Sequence, residues 1–222
     1  MPPEMIPAAE LPARHPGAPF FAWGAAEADA LAAALAEPGM GFAEAAAPPC
    51  GSVLSALPAG SILVDLTTRA AVALDVGAAL CGCAPRFGLE GEVEIAAEDG
   101  GRVTLGRRDC FAVALAEAVG NAVLHGNLEI DGALRDEPAD IERFFAQMDE
   151  RMAGPGGERR LAVRLSPVGG VVEIEVSNEG PGWRPGPGAA GAVFRGRGID
   201  LISKTTRSFR YSDDGRRLVM VL

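Results

Sequence analysis

The segment Asp109-Cys-Phe-Ala-Val-Ala-Leu-Ala-Glu-Ala-Val-Gly-Asn-Ala-Val-Leu-His-Gly-Asn127 carries two superimposed patterns. Written as a helix, Phe111, Leu115, Ala118, Val119, Ala122 and Val123 recur at helical spacing and form an apolar stripe. Glu117, Asn121 and His125 follow one another at four-residue steps, which places them in a second line on the same helix. A carboxylate, an amide and an imidazole on so apolar an element are costly to bury unless polar groups meet them. The spacing therefore predicts a helix that packs on a core and also lines a polar site.

Working outward, Gly91 to Ala97 alternates Val93 and Ile95 against Glu92, Glu94 and Ala96. It reads as a half-buried strand that pairs with Arg102 to Leu105 through the Glu98-Asp-Gly-Gly101 turn. Downstream, Pro138 opens a helix whose Ile141, Phe144, Phe145, Met148 and Met152 share a face, stopped by Gly154 to Gly157. Leu161, Val163 and Leu165, then Val172, Ile174 and Val176, alternate as two strands of an antiparallel hairpin turning at Ser166 to Gly170. A glycine-rich tract follows from Gly180 to Gly198, then a short helix from Ile199 to about Lys204. Two last strands, near Arg207 to Tyr211 and Arg217 to Leu222, are linked by Asp213-Asp214-Gly215. Residues 89–222 are thus expected to be an α+β, two-layer sandwich of antiparallel sheet and helices.

The first part reads differently. Residues 1–18 form a Pro/Ala-rich arm. Residues 19–88 suggest a smaller α/β domain: a strand at Phe20 to Trp23, a helix from Ala25 to Glu37, and a weak strand near Gly41 to Ala46. A short helix from Gly51 to Leu57, a strand at Ser61 to Asp65 and a helix over Thr67 to Leu80 complete it. The boundary falls somewhere in 80–92. Asp65 ends a buried strand, where the phosphoacceptor of a response-regulator receiver would stand. Trp23-Gly24-Ala25 replaces the acidic pair that such a receiver needs for magnesium, so any receiver-like unit here is degenerate and takes no phosphate. The other reading of Asp65 is an ordinary helix cap.

The 222 residues suit two small domains of about 100–150 residues or less. The formal charge of −10, from 30 acidic and 20 basic side chains, argues against a broad nucleic-acid surface. Cys50, Cys81, Cys83 and Cys110 show no framework or zinc spacing and are expected to be reduced and structural. No apolar run reaches membrane-spanning length, and the Pro-rich start lacks a signal peptide's apolar core, so a cytoplasmic protein is expected.

Three pieces recur in a telling order: Glu117-x-x-x-Asn121 on the helix, Ser177-Asn178-Glu179-Gly180-Pro181-Gly182 leaving a strand, and Gly196-Arg197-Gly198-Ile199-Asp200 where a loop becomes a helix. Together they resemble the N box and two glycine boxes of the GHKL (Bergerat) ATP-binding fold. Glu-Ala-Val-Gly-Asn-Ala-Val-Leu-His-Gly-Asn looks most like the anti-sigma-factor serine kinases. The resemblance covers roughly residues 90–222. It implies ATP and Mg2+ as cofactors, with Asn121 as the magnesium ligand and Glu117 as the general base. By the same resemblance His125, Asn178, Gly180, Gly182, Arg195, Gly196, Arg197 and Gly198 surround the nucleotide, and Trp183 to Phe194 is the lid. His125 either orients the phosphate end or caps the helix. Arg195 and Arg197 either pair with phosphate oxygens or are solvated, and Glu117 with Asn121 could instead be an internally bonded core pair.

One position departs from the pattern. The family's first glycine box begins with an aspartate that accepts from the adenine amino group, and here Asn178 can accept only without charge, which implies weaker ATP binding. Glu179 is expected to point away from that position. The resemblance implies a regulatory serine/threonine kinase acting on a protein partner, an anti-anti-sigma (STAS-like) antagonist or a sigma factor. No nucleic acid and no membrane is expected as partner, and a homodimer is allowed. The alternatives are a non-catalytic module that sequesters its partner, and a histidine-kinase catalytic domain acting on a separate phosphoacceptor. His15, in the Pro-rich arm, is a poor acceptor histidine.

Overall fold

The computed structural model describes residues 20–23, 28–36, 40–43, 58, 60–97, 100–130, 140–182, 197–212 and 215–222. The first part contributes β1 (Phe20–Trp23), α1 (Ala28–Ala36), β2 (Met40–Ala43), β3 (Ile62–Thr67), α2 (Thr68–Ala73) and α3 (Val76–Cys81). The hairpin β4 (Glu92–Ala96) and β5 (Arg102–Gly106) leads into α4 (Arg107–Asn121) and a π-helical segment (Ala122–Asn127). Then follow α5 (Ile141–Ala153), α6 (Pro155–Glu158), β6 (Arg160–Val168), β7 (Val171–Asn178), α7 (Arg197–Thr205), β8 (Ser208–Ser212) and β9 (Arg217–Val221). The fold class is α+β. No helix of the described residues is long and apolar enough to cross a membrane. The arm, the expected helix over 51–57 and the lid lie outside the described residues.

One seven-stranded sheet, in the order β1-β2-β3-β6-β7-β9-β8, runs through both parts of the chain, with β4 and β5 forming a separate hairpin. β1, β2 and β3 are parallel, but β3 then pairs antiparallel with β6, Val64 against Val163. The strands assigned to a smaller unit are therefore hydrogen-bonded into the sheet of the sandwich. β3 explains why: Ile62, Val64 and Leu66 are buried on one face, while Leu63, Asp65 and Thr67 are only partly covered. That half-buried alternation suits an edge of either sheet, and only the long-range partner decides between them. A single apolar core results, running from Leu31 and Leu35 of α1 through Leu66, Phe111, Leu115, Ile174 and Ile202 to Met220.

α4 sits on this sheet as its stripe predicted. Phe111, Ala114 and Leu115 are fully buried, with Cys110, Ala118, Ala122 and Val123 nearly so. Each large side chain of that set contributes about 1.5–3 kcal/mol by leaving water. Gly106 caps the helix and Asp109 lies in its first turn, where a carboxylate opposes the positive end of the helix dipole.

The region of 67–80 is two helices rather than one. Asp75 breaks it with a left-handed backbone (φ 44°), and its side chain accepts from the N–H of Ala78 to cap α3. Gly154 to Gly157, read as a stop, contains the short helix α6 with Pro155 in its first turn. On α5, Phe144 is buried and Met148 and Met152 pack on the core, whereas Ile141 and Phe145 are about half exposed. Asp65 does not cap a helix: the cap of α2 is Thr67, whose hydroxyl accepts from Ala70 N at 3.3 Å. The Asp65 carboxylate instead receives Arg160 Nε at 2.9 Å, and Arg160 also donates to the Asp65 carbonyl.

Candidate functional site

The C-terminal end of α4 changes its winding. Beyond Asn121 the chain passes into a π segment, with Leu128 N–H bonded to the Val123 carbonyl and Ile130 N–H to that of Leu124. Single π turns inside α-helices are frequent at functional sites. Their wider turn has a consequence here: four residues no longer complete one turn, so His125 leaves the line that Glu117 and Asn121 share. His125 Nδ1 lies 2.8 Å from the Ile130 carbonyl oxygen. A carbonyl only accepts, so Nδ1 carries a proton and donates to it. Of its two expected roles, His125 holds the local cap.

Glu117 and Asn121 stay in α-geometry and meet the third motif. A methyl group added to Gly198, in the first turn of α7, would lie 2.6 Å from Glu117 Oε2, 3.3 Å from Asn121 Nδ2 and 3.5 Å from Asn121 Oδ1. The backbone of α7 thus comes against both side chains, and a Cβ at this position would force the Glu117 carboxylate to move. Both side chains are half-buried, and among the described residues neither has a hydrogen-bond or ion-pair partner. They are not an internally bonded core pair.

The second motif closes the other side. Asn121 and Asn178 line one open cleft of about 270 Å³, a volume that includes space continuous with solvent, with Ala118, Ala122, Val176, Tyr211, Gly215, Arg216 and Leu218. The Asn178 amide is held at both ends: Oδ1 accepts the N–H of Gly180 at 3.0 Å, and Nδ2 donates to the Arg216 carbonyl at 3.2 Å. That network fixes which end is oxygen. Gly126 packs so tightly on it that an added methyl would sit 2.6 Å from Asn178 Cγ, and one on Gly180 would collide with the carbonyl of Gly126. Gly182 adopts a left-handed backbone, φ 88°. Glu179 points away as expected, accepting from Arg160 N–H at 2.8 Å.

Asn127, absent from the expected site, is the joint of this side. It is completely buried. Its Oδ1 accepts the N–H of Glu179 at 3.0 Å, and its Nδ2 donates to the Thr68 hydroxyl at 2.7 Å and the Arg160 carbonyl at 3.0 Å. Arg159 donates to the Asn127 carbonyl and to Glu129, which has a left-handed backbone. An asparagine following the His-Gly pair at a helix end is the local signal; its three partners are remote in sequence and give none.

Arg197 opens α7, whereas Arg195 and Gly196 lie outside the described residues. Tyr211, Gly215 and Arg216 line the cleft without having been singled out in the sequence. Burial pushes the Tyr211 phenol well above its ordinary range and raises the thiols of Cys81, Cys83 and Cys110, which therefore stay protonated and weakly reactive. The described residues contain no cluster of three His, Cys, Asp or Glu side chains that could hold a metal. A single hard oxygen ligand beside substrate phosphates is how magnesium is commonly held, and the half-buried Asn121 amide fits that part. No protein-family model matches the chain, and no curated protein matches it.

Proposed function

We propose that the chain is a cytoplasmic, ATP-binding regulatory kinase of the GHKL type, similar to the anti-sigma-factor serine kinases. It would transfer the γ-phosphate of Mg-ATP to a serine or threonine of a partner protein, a STAS-like antagonist being the expected kind and a sigma factor the other. One observation carries the reading. Glu117 and Asn121, half-buried and without partners among the described residues, stand against Gly198 at a helix start, and Asn121 also lines a cleft with Asn178. Asn121 thus neighbours residues of both other motifs, and the helix start adds N–H groups suited to phosphate.

In this reading Asn121 supplies the amide oxygen that holds the metal, and the metal neutralises charge on the phosphates when bound. Glu117 accepts the proton of the attacking hydroxyl as its oxygen bonds to the γ-phosphorus and the β,γ-bridge breaks, leaving ADP. Calorimetry with Mg-ADP and Mg-ATP tests it. Heat is expected from the parent and from Glu117→Gln and not from Asn121→Ala; Glu117→Gln should also lose phosphate transfer. No heat at millimolar nucleotide overturns the reading.

A specific observation favours the alternative of a non-catalytic binding module. The Asn178 amide, which stands where the family has a charged acceptor, already serves Gly180 and Arg216. The enclosed part of the described cleft, about 20 Å³, is also far below the roughly 300–1,000 Å³ of typical ligand sites. The calorimetric result separates the two.

A further inference from the structure

β8 is the last strand of the seven-stranded sheet, and among the described residues only β9 pairs with it. The ladder fixes which of its backbone groups are left over. Val172 and Leu222 exchange both bonds, so Leu222, Met220 and Leu218 turn their N–H and C=O groups toward β7. Val221, Val219 and Arg217 therefore turn theirs toward β8, where they meet Ser208, Arg210 and Ser212 in register. The Val221 carbonyl does so, accepting the N–H of Arg207 at 2.8 Å. Phe209 lies between these positions, so its N–H and C=O face the open edge. This edge is also basic. Residues 204–222 carry five basic side chains (Lys204, Arg207, Arg210, Arg216 and Arg217) against two acidic ones, whereas the whole chain has 20 basic and 30 acidic. Arg210 is 65% exposed, and its one ion pair among the described residues, with Glu173, is stretched to 4.0 Å. Arg207 is exposed and has no ion pair among the described residues.

We propose that the β8 edge is a docking site for an acidic, extended segment of a partner protein, which joins the sheet as a further strand beside Phe209. When a strand is added to an open edge, main-chain hydrogen bonds give affinity and side chains at alternate positions give specificity. Here the selecting side chain is Arg210, which a carboxylate on the added strand would face. A charged residue on an edge strand ordinarily deters pairing. At β8 the deterrence is selective. In the register that overlaps two copies of β8 in full, Arg210 of one copy faces Arg210 of the other, and like charges directly opposite are destabilising. The edge thus rejects its own copy and accepts a strand that carries carboxylates. Phe209 and Arg210 belong to none of the three motifs, so this docking is independent of the nucleotide reading.

The test titrates the isotope-labelled full chain with a capped heptapeptide that alternates valine and glutamate. The amide signals of Phe209 and Arg210 should move, and the Phe209 N–H should exchange more slowly with solvent. Two control peptides should do neither: the same sequence with lysine for glutamate, and the glutamate peptide N-methylated at every residue so that its backbone cannot donate. Arg210→Gln should weaken the glutamate peptide severalfold and Arg210→Glu about tenfold. No response of Phe209 to that peptide, an equal response to either control, or unchanged affinity in Arg210→Glu overturns the proposal. Protection of Phe209 that grows with protein concentration in the absence of peptide assigns the edge to a second copy and overturns it too. A parent that binds the peptide at β8 but not Mg-ADP overturns the nucleotide reading and leaves the docking site standing.

Discussion

Asn121 and Asn127 lie on one continuous helical rod, and the same amide is used in opposite ways at the two positions. At Asn127 every side-chain polar atom is spent inside the protein, on Glu179, Thr68 and Arg160, and the residue is fully buried. At Asn121 the amide is half-buried beside Glu117 and Gly198 and has no partner among the described residues. Buried polar groups normally find partners. The contrast therefore marks Asn127 as framework and Asn121 as a place where something else completes the bonding. The winding change between them produces it: the π turn rotates the end of the rod toward the β6–β7 side while Asn121 still faces α7.

The largest effect should come from breaking the framework. Asn127→Leu strands the Glu179 N–H and removes the Asn127 donor from the Arg160 carbonyl, each costing about 1–3 kcal/mol when left unpaired, while the Thr68 hydroxyl keeps its bond to the Arg159 carbonyl. A loss of about 3 kcal/mol or more is expected in urea denaturation; a loss under about 1 kcal/mol would show that water replaces these bonds.

Asn178→Asp comes next, and it tests whether charge alone is missing from this cleft. The change keeps the acceptor for Gly180 but sets a carboxylate against the Arg216 carbonyl where a donor stood. A loss of about 1–2 kcal/mol is expected with no gain in Mg-ADP affinity. Tighter Mg-ADP binding by this variant would mean that the loop yields and that Asn178 had been the limiting substitution.

Asn121→Ala should barely move stability, within about 0.5 kcal/mol, while abolishing magnesium-dependent nucleotide binding. A large destabilisation would reassign Asn121 to the framework and erase the contrast with Asn127.

The smallest effect is an alkaline drift. Cys83, Cys110 and Tyr211 are held protonated in the folded state by burial, so their folded pKa values exceed the unfolded ones. Unfolded thiols ionise above about pH 8.5 and the unfolded phenol above about pH 10. The unfolded chain then binds fewer protons than the folded one, so stability is intact at neutral pH and falls as pH rises through that range. Denaturation at pH 7 and pH 10 checks the sign; a rise in stability would contradict the burial of these groups.

Much of this was legible before the structure. The apolar stripe of α4, the β6–β7 hairpin and the last two strands follow from periods of 3.6 and 2, which are local properties. Glu117 and Asn121 were readable as one line because both lie in α-geometry. The bond of His125 to the Ile130 carbonyl was not legible, because a π turn is a local deviation that a four-residue spacing does not reveal. Asp75 hid the break of 67–80 because a left-handed aspartate looks like any helix-surface carboxylate. Tyr211 was passed over as one more residue of a terminal strand.

Most elements of residues 89–222, the buried stripe of α4, the alternation of β6 and β7 and the three motifs follow from the amino-acid sequence, since each depends on neighbours within a few turns or one hairpin, whereas β4, read as half-buried, is largely exposed at Val93. Only the tertiary structure decided that β3 pairs with β6, drawing the first part of the chain into the same sheet and core. It alone decided that Asn121 is left without a partner among the described residues while Asn127 is fully used. Both outcomes depend on contacts between residues far apart in sequence, where hydrogen-bonding capacity is matched in space and no periodicity records the match.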